Sequence, residues 1–141
     1  MPKSHLRFAD IAVGDQFNFD FEITDAFVRE FSVISGDYNP LHLDQTYASS
    51  TKFSRRIAHG MTAGVLFSRL IGMHIPGSGS FYLSQNIVFR EPIEIGSSVK
   101  VYGKVLQKVE ALKTLTILTQ LQANNSKKLL VDGSAIVQMF E

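Results

Sequence analysis

Residues 60–74, GMTAGVLFSRLIGMH, form a long apolar stretch that contains no proline. The stretch is long enough for about four turns of α-helix, because each turn takes 3.6 residues. The next six residues, IPGSGS, combine proline with glycine, which predicts a loop. We therefore predict that residues 60–74 form the principal helix of the protein.

Four segments with strand character follow this helix. They are FYLSQNIVF (81–89), VKVYGKVLQKV (99–109), TLTILTQLQ (114–122) and LLVDGSAIVQMF (129–140). In the second segment, the valines at 99, 101, 105 and 109 fall on one face and the lysines at 100, 104 and 108 on the other. This alternation predicts a half-exposed antiparallel strand.

The residues before the principal helix are more mixed. FNFDFEI (17–23) alternates like a strand, and Thr24 can cap a helix in which Phe27, Phe31 and Ile34 recur at helical spacing. We expect that helix to end at Gly36 and a short helix to follow over residues 45–53. The order of strand, helices and further strands predicts an α+β fold with a long helix packed on an antiparallel sheet.

Length and composition exclude several classes of protein. The 141 residues suit a single domain over residues 1–141, and the chain is 45% hydrophobic and 19% charged with a formal net charge of +1. These values argue against disorder and against nucleic acid as a partner. The absence of cysteine excludes disulfides and a cysteine nucleophile. No apolar run is long enough for a membrane span, and the N-terminus has no signal-peptide pattern, so we predict an intracellular protein.

The bend SGDYNPLHLD (35–44) holds a candidate acid/base pair, Asp37 and His42. Pro40 keeps the residue before it out of helical geometry, so the segment folds and both side chains can converge on one water. The alternative is ordinary turn chemistry, in which Asp37 and Asn39 bond their own backbone and His42 only packs. Taken alone, the bend favours the turn interpretation.

A metal site is a third interpretation of the same region. His42, Asp44 and His59 could be ligands, but a single H-x-D pair with one distant histidine is a weak pattern. Asp44 also lies where it could cap the following helix. We therefore predict that the protein holds no metal.

The start of the principal helix adds a second candidate group. Gly60 follows His59 at a helix N-terminus, where free backbone N–H groups and a partial positive charge can stabilise an oxyanion. Gly60, Gly64, Ser68 and Gly72 recur every four residues and form a stripe along one side of the helix. This stripe predicts close approach, either by a substrate that Ser68 would contact or by the sheet.

Three segments resemble the MaoC-like (R)-specific enoyl-CoA hydratases and type 2 3-hydroxyacyl-thioester dehydratases. They are FSVISGDYNPLHLD, FSRRIAHGMTAGVLFSRLIG and PGSGSFYLSQNIVFREPIEIGSSV. The resemblance covers about residues 15–140, and its most specific feature is D-x-N-P-x-H followed downstream by HGM. It implies a hot-dog fold, in which an antiparallel sheet wraps around a long central helix, and a homodimer whose sheets join edge to edge.

The resemblance also implies roles for five residues. The catalytic pair of the family falls on Asp37 and His42, and Asn39 supports the bend. The oxyanion donor falls on the backbone N–H of Gly60 and the active-site serine on Ser68. The segment MTAGV after the histidine and glycine varies among relatives, which leaves the shape of the acyl pocket open.

The activity implied is (R)-specific hydration of trans-2-enoyl-CoA and the reverse dehydration, in fatty acid metabolism. No cofactor is expected, because CoA or the phosphopantetheine of acyl carrier protein belongs to the substrate. The implied location is the bacterial cytoplasm in preference to the mitochondrial matrix. Two alternatives stay open: a hot-dog acyl-CoA thioesterase that attacks the thioester carbonyl, and a non-catalytic module that binds acyl thioesters.

Overall fold

The structure is a computed structural model that describes residues 6–141. After one turn of 3-10 helix at Phe8–Asp10, the described chain has nine further elements in the order strand, four helices and four strands. They are β1 (Gln16–Glu22), α1 (Asp25–Ser35), α2 (Pro40–Leu43), α3 (Gln45–Ser49), α4 (Thr62–Met73), β2 (Ser80–Phe89), β3 (Ser98–Val109), β4 (Thr114–Ala123) and β5 (Leu129–Met139). This order confirms the predicted α+β architecture.

The five strands form one antiparallel sheet in the order β1-β3-β4-β5-β2, with α4 packed against it. Gly103 on β3 lacks a side chain where Leu70 of α4 sits, since a Cβ there would lie 2.8 Å from the Leu70 side chain. The buried apolar residues form one cluster between helix and sheet. A sheet that wraps one long helix is the hot-dog fold, as the resemblance implies.

The predicted faces of β3 are correct as far as Val105 and wrong beyond it. A β-bulge at Leu106 interrupts the pairing with β4, so one extra residue reverses which side chains point inward. Lys108 consequently lies opposite the buried Leu115 and shares its face. Val109 therefore does not continue the valine face, and Lys108 does not continue the lysine face.

The inward-pointing side chain of Lys108 binds residues 8–11 to β3. Its ammonium group donates to the carbonyl oxygens of Phe8, at 2.9 Å, and Ile11, at 2.5 Å. The same nitrogen lies 4.4 Å from the centroid of the Phe8 ring. Two carbonyls and an aromatic face thus replace the water that this charge loses.

Helix α1 has the predicted ends but a different buried face. The Thr24 hydroxyl accepts a hydrogen bond, 3.0 Å long, from the N–H of the third helical residue, and Gly36 ends the helix in the left-handed conformation with φ 76°. The fully buried positions are Val28 and Ser32, whereas Ile34 is 86% exposed. The aromatic spacing therefore identified the helix without identifying its most buried side.

Helix α4 begins two residues later than predicted and ends one residue earlier. Met61 is its N-cap, and Gly60 lies just before the cap, outside the first turn. Tight turns of the i to i+3 type lead into the helix, because the N–H groups of Thr62 and Ala63 donate to the carbonyls of His59 and Gly60. Among residues 6–141, no helix is both long and apolar enough to cross a bilayer.

Candidate active site

The bend that follows α1 uses its acid and its amide as local caps. The Asp37 carboxylate accepts a hydrogen bond from the Asn39 N–H at 3.0 Å, and the Asn39 side chain accepts one from the Leu41 N–H at 3.1 Å. Pro40 occupies the first position of α2, where no N–H is needed. The predicted turn chemistry is therefore present. It engages only one of the two carboxylate oxygens of the exposed Asp37.

His42 is held in one tautomer by the chain that precedes α4. Its Nδ1 lies 2.7 Å from the carbonyl oxygen of Ile57. A carbonyl oxygen can only accept, so Nδ1 carries a hydrogen and Nε2 is the ring nitrogen available for proton transfer. The side chain is 9% exposed, which keeps the ring fixed while leaving an edge accessible.

Arg56 fixes the backbone around His42 from the other side. Its Nε donates to the carbonyl oxygen of His42 at 2.8 Å, and its guanidinium also contacts the Asp25 carboxylate on α1 at 2.5 Å. Two residues on, the Ala58 N–H donates to the carbonyl of Ile93 at 2.8 Å. The segment that positions His42 is thus joined to α1 and to the loop between β2 and β3.

His59 lies directly against His42. The two imidazole rings stack with their centroids 3.9 Å apart and an angle of 29° between their planes. His59 is 2% exposed, and its Nε2 lies 3.1 Å from the carbonyl oxygen of Asp37 and 3.2 Å from the Ser32 hydroxyl. Burial lowers the pKa of His59, an effect that the hydrogen bond to Asp37 partly opposes. This shift favours the neutral form of the ring.

Polar atoms of these side chains lie close together. A carboxylate oxygen of Asp37 and one ring nitrogen from each of His42 and His59 all lie within 4.8 Å of one another. A water between Asp37 and His42 can hydrogen-bond to both, since each bond spans about 2.7–3.0 Å. The structure thus brings together the two residues that the sequence pairs.

The same cluster is poorly arranged to hold a metal ion. The lone pairs of imidazoles lie in the ring planes, and the stacked planes of His42 and His59 are close to parallel. Two such nitrogens cannot both aim at one ion about 2.0–2.1 Å away. Asp44, the third ligand considered from the sequence, instead caps α3 by accepting from the Tyr47 N–H at 3.1 Å.

The peptide bond between His59 and Gly60 has a fixed orientation. Its carbonyl oxygen accepts hydrogen bonds from the Thr62 N–H, at 3.1 Å, and the Thr62 hydroxyl, at 2.6 Å. In a planar trans peptide the N–H points opposite to the carbonyl, so the Gly60 N–H points away from Thr62. No residue in the described part of the chain accepts a hydrogen bond from it. It is a free donor, as an oxyanion site requires.

Gly60 and His42 line the same open cavity, whose volume is about 390 Å³. Most of its surface is apolar, and its charged lining residues are Arg90 and Glu91. The remaining lining residues are Phe53, Ile57, Ala58, Met61, Phe89, Pro92 and Ile93. An apolar cavity with a few polar groups at one point is the usual form of a small-molecule site.

Ser68 is not among the residues that line this cavity. It lies on the exposed side of α4. Of the glycines on the predicted stripe, Gly64 has only an ordinary contact with Ile87, and Gly72 faces open space. Within one chain, the stripe therefore makes a close approach at Gly60 alone.

The residues that position the pair were not predicted from the sequence. Ile57 and Arg56 act through a backbone carbonyl and a guanidinium, and neither belongs to a catalytic pattern. Thr62 was part of a segment considered only for the pocket shape, and His59 was considered only as a metal ligand. The available signal was the polar cluster RRIAHG, which lies between two apolar segments.

The fold is that of a hot-dog protein, and its candidate acid/base residues lie just before the central helix. The chain belongs to the family described as MaoC like domain, whose model matches residues 9–125.

Individual relatives agree with that assignment. The chain is 36% identical over 129 residues to an (R)-specific enoyl-CoA hydratase from Aeromonas caviae, covering 92% of this chain and 96% of the relative. It is 34% identical over 134 residues to a 3-hydroxybutyryl-CoA dehydratase from Methylorubrum extorquens, covering 95% and 84%. The solved structure of an unliganded R-hydratase from Pseudomonas aeruginosa superposes with a TM-score of 0.90 at 36% identity, covering 95% of this chain and 85% of that one.

Proposed function

We propose that the protein is a hydro-lyase that adds water to trans-2-enoyl-CoA, giving (R)-3-hydroxyacyl-CoA, and catalyses the reverse dehydration. The observation that carries this proposal is the placement of His42 and the free Gly60 N–H on one apolar cavity, with Asp37 beside His42. The two relatives, an (R)-specific enoyl-CoA hydratase and a 3-hydroxybutyryl-CoA dehydratase, support the same reaction.

The mechanism assigns one task to each group. The Asp37 carboxylate takes a proton from water as the water oxygen forms its bond to C3 of the enoyl group. The electron pair of the double bond moves toward the thioester oxygen, where the Gly60 N–H stabilises the negative charge. Protonated His42 then donates the Nε2 proton to C2. The proton that Asp37 took from water passes to His42, which restores both groups. Dehydration runs through the same steps in reverse.

The substrate supplies its own electron sink, so we propose that no cofactor takes part. Conjugation of the enoyl group with the thioester delocalises the charge that water addition creates. CoA or the phosphopantetheine of acyl carrier protein enters only as part of the substrate. The apolar lining of the cavity suits an acyl chain or a pantetheine arm.

We further propose that two copies of the chain form a homodimer through β2. This strand lies at one edge of the sheet and exposes apolar side chains, among them Phe81 at 61%. An exposed apolar edge is protected in most proteins by pairing or by cover. The exposed side of α4, which carries Ser68, would then face the partner and could contact its substrate. Light scattering should give twice the mass of the chain, and an active monomer at micromolar concentration would contradict the dimer.

The location in the bacterial cytoplasm stays a prediction. It depends on the sequence pattern and on the resemblance. The expectation that neither nucleic acid nor membrane is a partner depends on the composition, the net charge and the lack of a long apolar run. Fractionation of cells that produce the protein would test it.

The activity is tested with purified protein and trans-2-enoyl-CoA. We expect the absorbance of the conjugated enoyl thioester to fall without release of free thiol. Chiral chromatography of the product should give the (R)-3-hydroxyacyl ester. Release of thiol with the enoyl group intact would establish the thioesterase instead. Tight binding of enoyl-CoA without turnover would establish the binding module.

A further inference from the structure

His59 contacts both members of the candidate pair but reaches no substrate space. It does not line the cavity, and its side chain is 2% exposed. Its ring stacks on His42 and also packs against Phe31, with ring centroids 4.6 Å apart. A polar residue this deeply buried needs a reason beyond packing, because phenylalanine fills a similar space without a polar atom to satisfy.

The hydrogen bonds of His59 supply that reason. The carbonyl oxygen of Asp37 can only accept, so Nε2 must carry the hydrogen and donate to it, sharing the bond with the Ser32 hydroxyl. Nδ1 is then the lone-pair nitrogen. It is buried and has no hydrogen-bond partner in the described part of the chain. One face of the ring thus packs on His42, and its Nε2–H donates to the Asp37 carbonyl. This arrangement leaves Nδ1 as a buried acceptor without a hydrogen bond.

We propose that His59 is a positioning residue for the acid/base pair, holding the His42 ring by stacking and the Asp37 backbone by its Nε2–H. This proposal rests on the proposed function, because it assigns the pair to proton transfer. His59 must also be neutral, since a second positive charge 3.9 Å from a protonated His42 would repel it. The titratable groups that act on His59 are His42 and Asp37.

Three variants separate the two contacts. His59→Phe keeps the ring and loses the donor, His59→Gln keeps a donor and loses the ring, and His59→Ala loses both. We expect kcat to fall about 10-fold in each of the first two and about 100-fold in the third, because small displacements of reacting groups cost that much. KM should change less than about 3-fold, since His59 does not line the cavity.

Val105→Ala is the matched control for lost stability. Val105 is fully buried on β3 and lies outside the cavity lining, so this variant should lower the melting temperature and leave kcat unchanged. Full kcat in His59→Ala would overturn the proposal. So would losses of kcat no larger than that of Val105→Ala at equal melting temperature, or losses confined to KM.

A measurement on the unaltered protein covers the case in which the variants do not fold. Nitrogen-15 NMR of the imidazoles should show His59 as the neutral Nε2–H tautomer at pH 7, titrating below its ordinary pKa of 6.5. A Nδ1–H tautomer, or a protonated ring at pH 7, would overturn the proposal. This result is independent of turnover. A protein that fails to hydrate enoyl-CoA but shows this tautomer would refute the proposed reaction and leave the described contacts of His59 standing.

Discussion

The ring of Phe89 occupies the space that a side chain on Gly60 would need. A Cβ built on Gly60 would lie 2.8 Å from two carbon atoms of that ring, closer than such contacts normally come. Phe89 is half exposed at the end of β2, so its ring can move, although only by changing the cavity wall that it forms. Glycine at position 60 therefore keeps the backbone donor and the cavity wall in contact.

The contact with Phe89 allows two substitutions of Gly60 to be compared that both crowd the ring. Gly60→Ala and Gly60→Pro both place a Cβ against Phe89, but only proline removes the N–H. We expect kcat to fall by about 10²–10³-fold in Gly60→Pro, and by clearly less in Gly60→Ala, because a lost oxyanion donor costs about that much. Steady-state kinetics on folded variants measures the difference. Equal losses at matched thermal stability would mean that the N–H is not the donor.

The Thr62 hydroxyl should strengthen the same donor from a distance. It hydrogen-bonds the carbonyl of the peptide whose N–H belongs to Gly60, and hydrogen bonds in a chain polarise one another. We expect Thr62→Val to lower kcat about 3- to 10-fold with little change in KM. Thr119→Val, at a buried threonine on β4, is the control and should keep kcat. Wild-type kcat in Thr62→Val would remove Thr62 from this role.

The proposed acid/base pair, Asp37 and His42, can be tested with variants that preserve the bend. Asp37→Asn keeps an oxygen to accept from the Asn39 N–H, and His42→Asn can keep a donor to the Ile57 carbonyl. Each should lower kcat by about 10²-fold or more, as expected when a positioned acid or base is lost. Circular dichroism checks the fold. Near-normal turnover in either variant would exclude that residue from proton transfer.

Stability should depend on pH through His59 and the partly buried His74. Burial lowers the pKa of His59, and burial together with Arg69 lowers that of His74, so below about pH 6.5 the unfolded chain binds more protons than the folded one. The free energy of unfolding should therefore be highest above this pH and fall as the pH drops from about 7.5 to 5.5. The hydrogen-bonded Asp25 contributes in a lower range, below its ordinary pKa of 3.8.

His59→Phe separates the two histidines in this experiment. Urea titrations at the two pH values should give a smaller difference in the variant than in the wild type, and the remainder belongs to His74. An unchanged difference would show that His59 is protonated equally in the folded and unfolded chains.

Metal independence follows from the stacked geometry of His42 and His59. Dialysis against a chelator should leave the rate of hydration unchanged, because the nitrogens of the two rings cannot converge on one ion. The control is the same protein dialysed against buffer alone. Activity that disappears with the chelator and returns with zinc or iron would establish a metal site and a different arrangement of these rings.

Local signals in the sequence were sufficient to predict the order of the helices and strands and both ends of helix α1. Thr24 and Gly36 have side-chain and backbone properties that fix a helix start and a helix end without help from distant residues. Pro40 made it possible for Asp37 and His42 to converge, the resemblance selected them as a pair, and the structure brings them together. These features depend on neighbours within a few residues.

Features that depend on distant partners could not be predicted. The inward face of Lys108 results from a bulge against β4 and from carbonyls about a hundred residues earlier in the chain. Helix α4 starts later than predicted because the Thr62 hydroxyl bonds the His59 carbonyl. The tight turn that this bond closes takes the place of a regular first helical turn. The stacking of His59 on His42 requires the chain to return across seventeen residues, and no periodic pattern records such a contact.

The proposed catalytic groups and much of the cavity wall come from separate parts of the chain. Asp37, His42 and Gly60 precede the central helix, whereas residues 89–93 supply much of the wall and belong to the end of β2 and the loop after it. Mutations in that later segment can reshape the wall without touching the proton donors and acceptors. Duplicated genes could therefore diverge in the thioester they accept while inheriting one unaltered reaction, and a library confined to residues 89–93 would test which part of the thioester this wall selects.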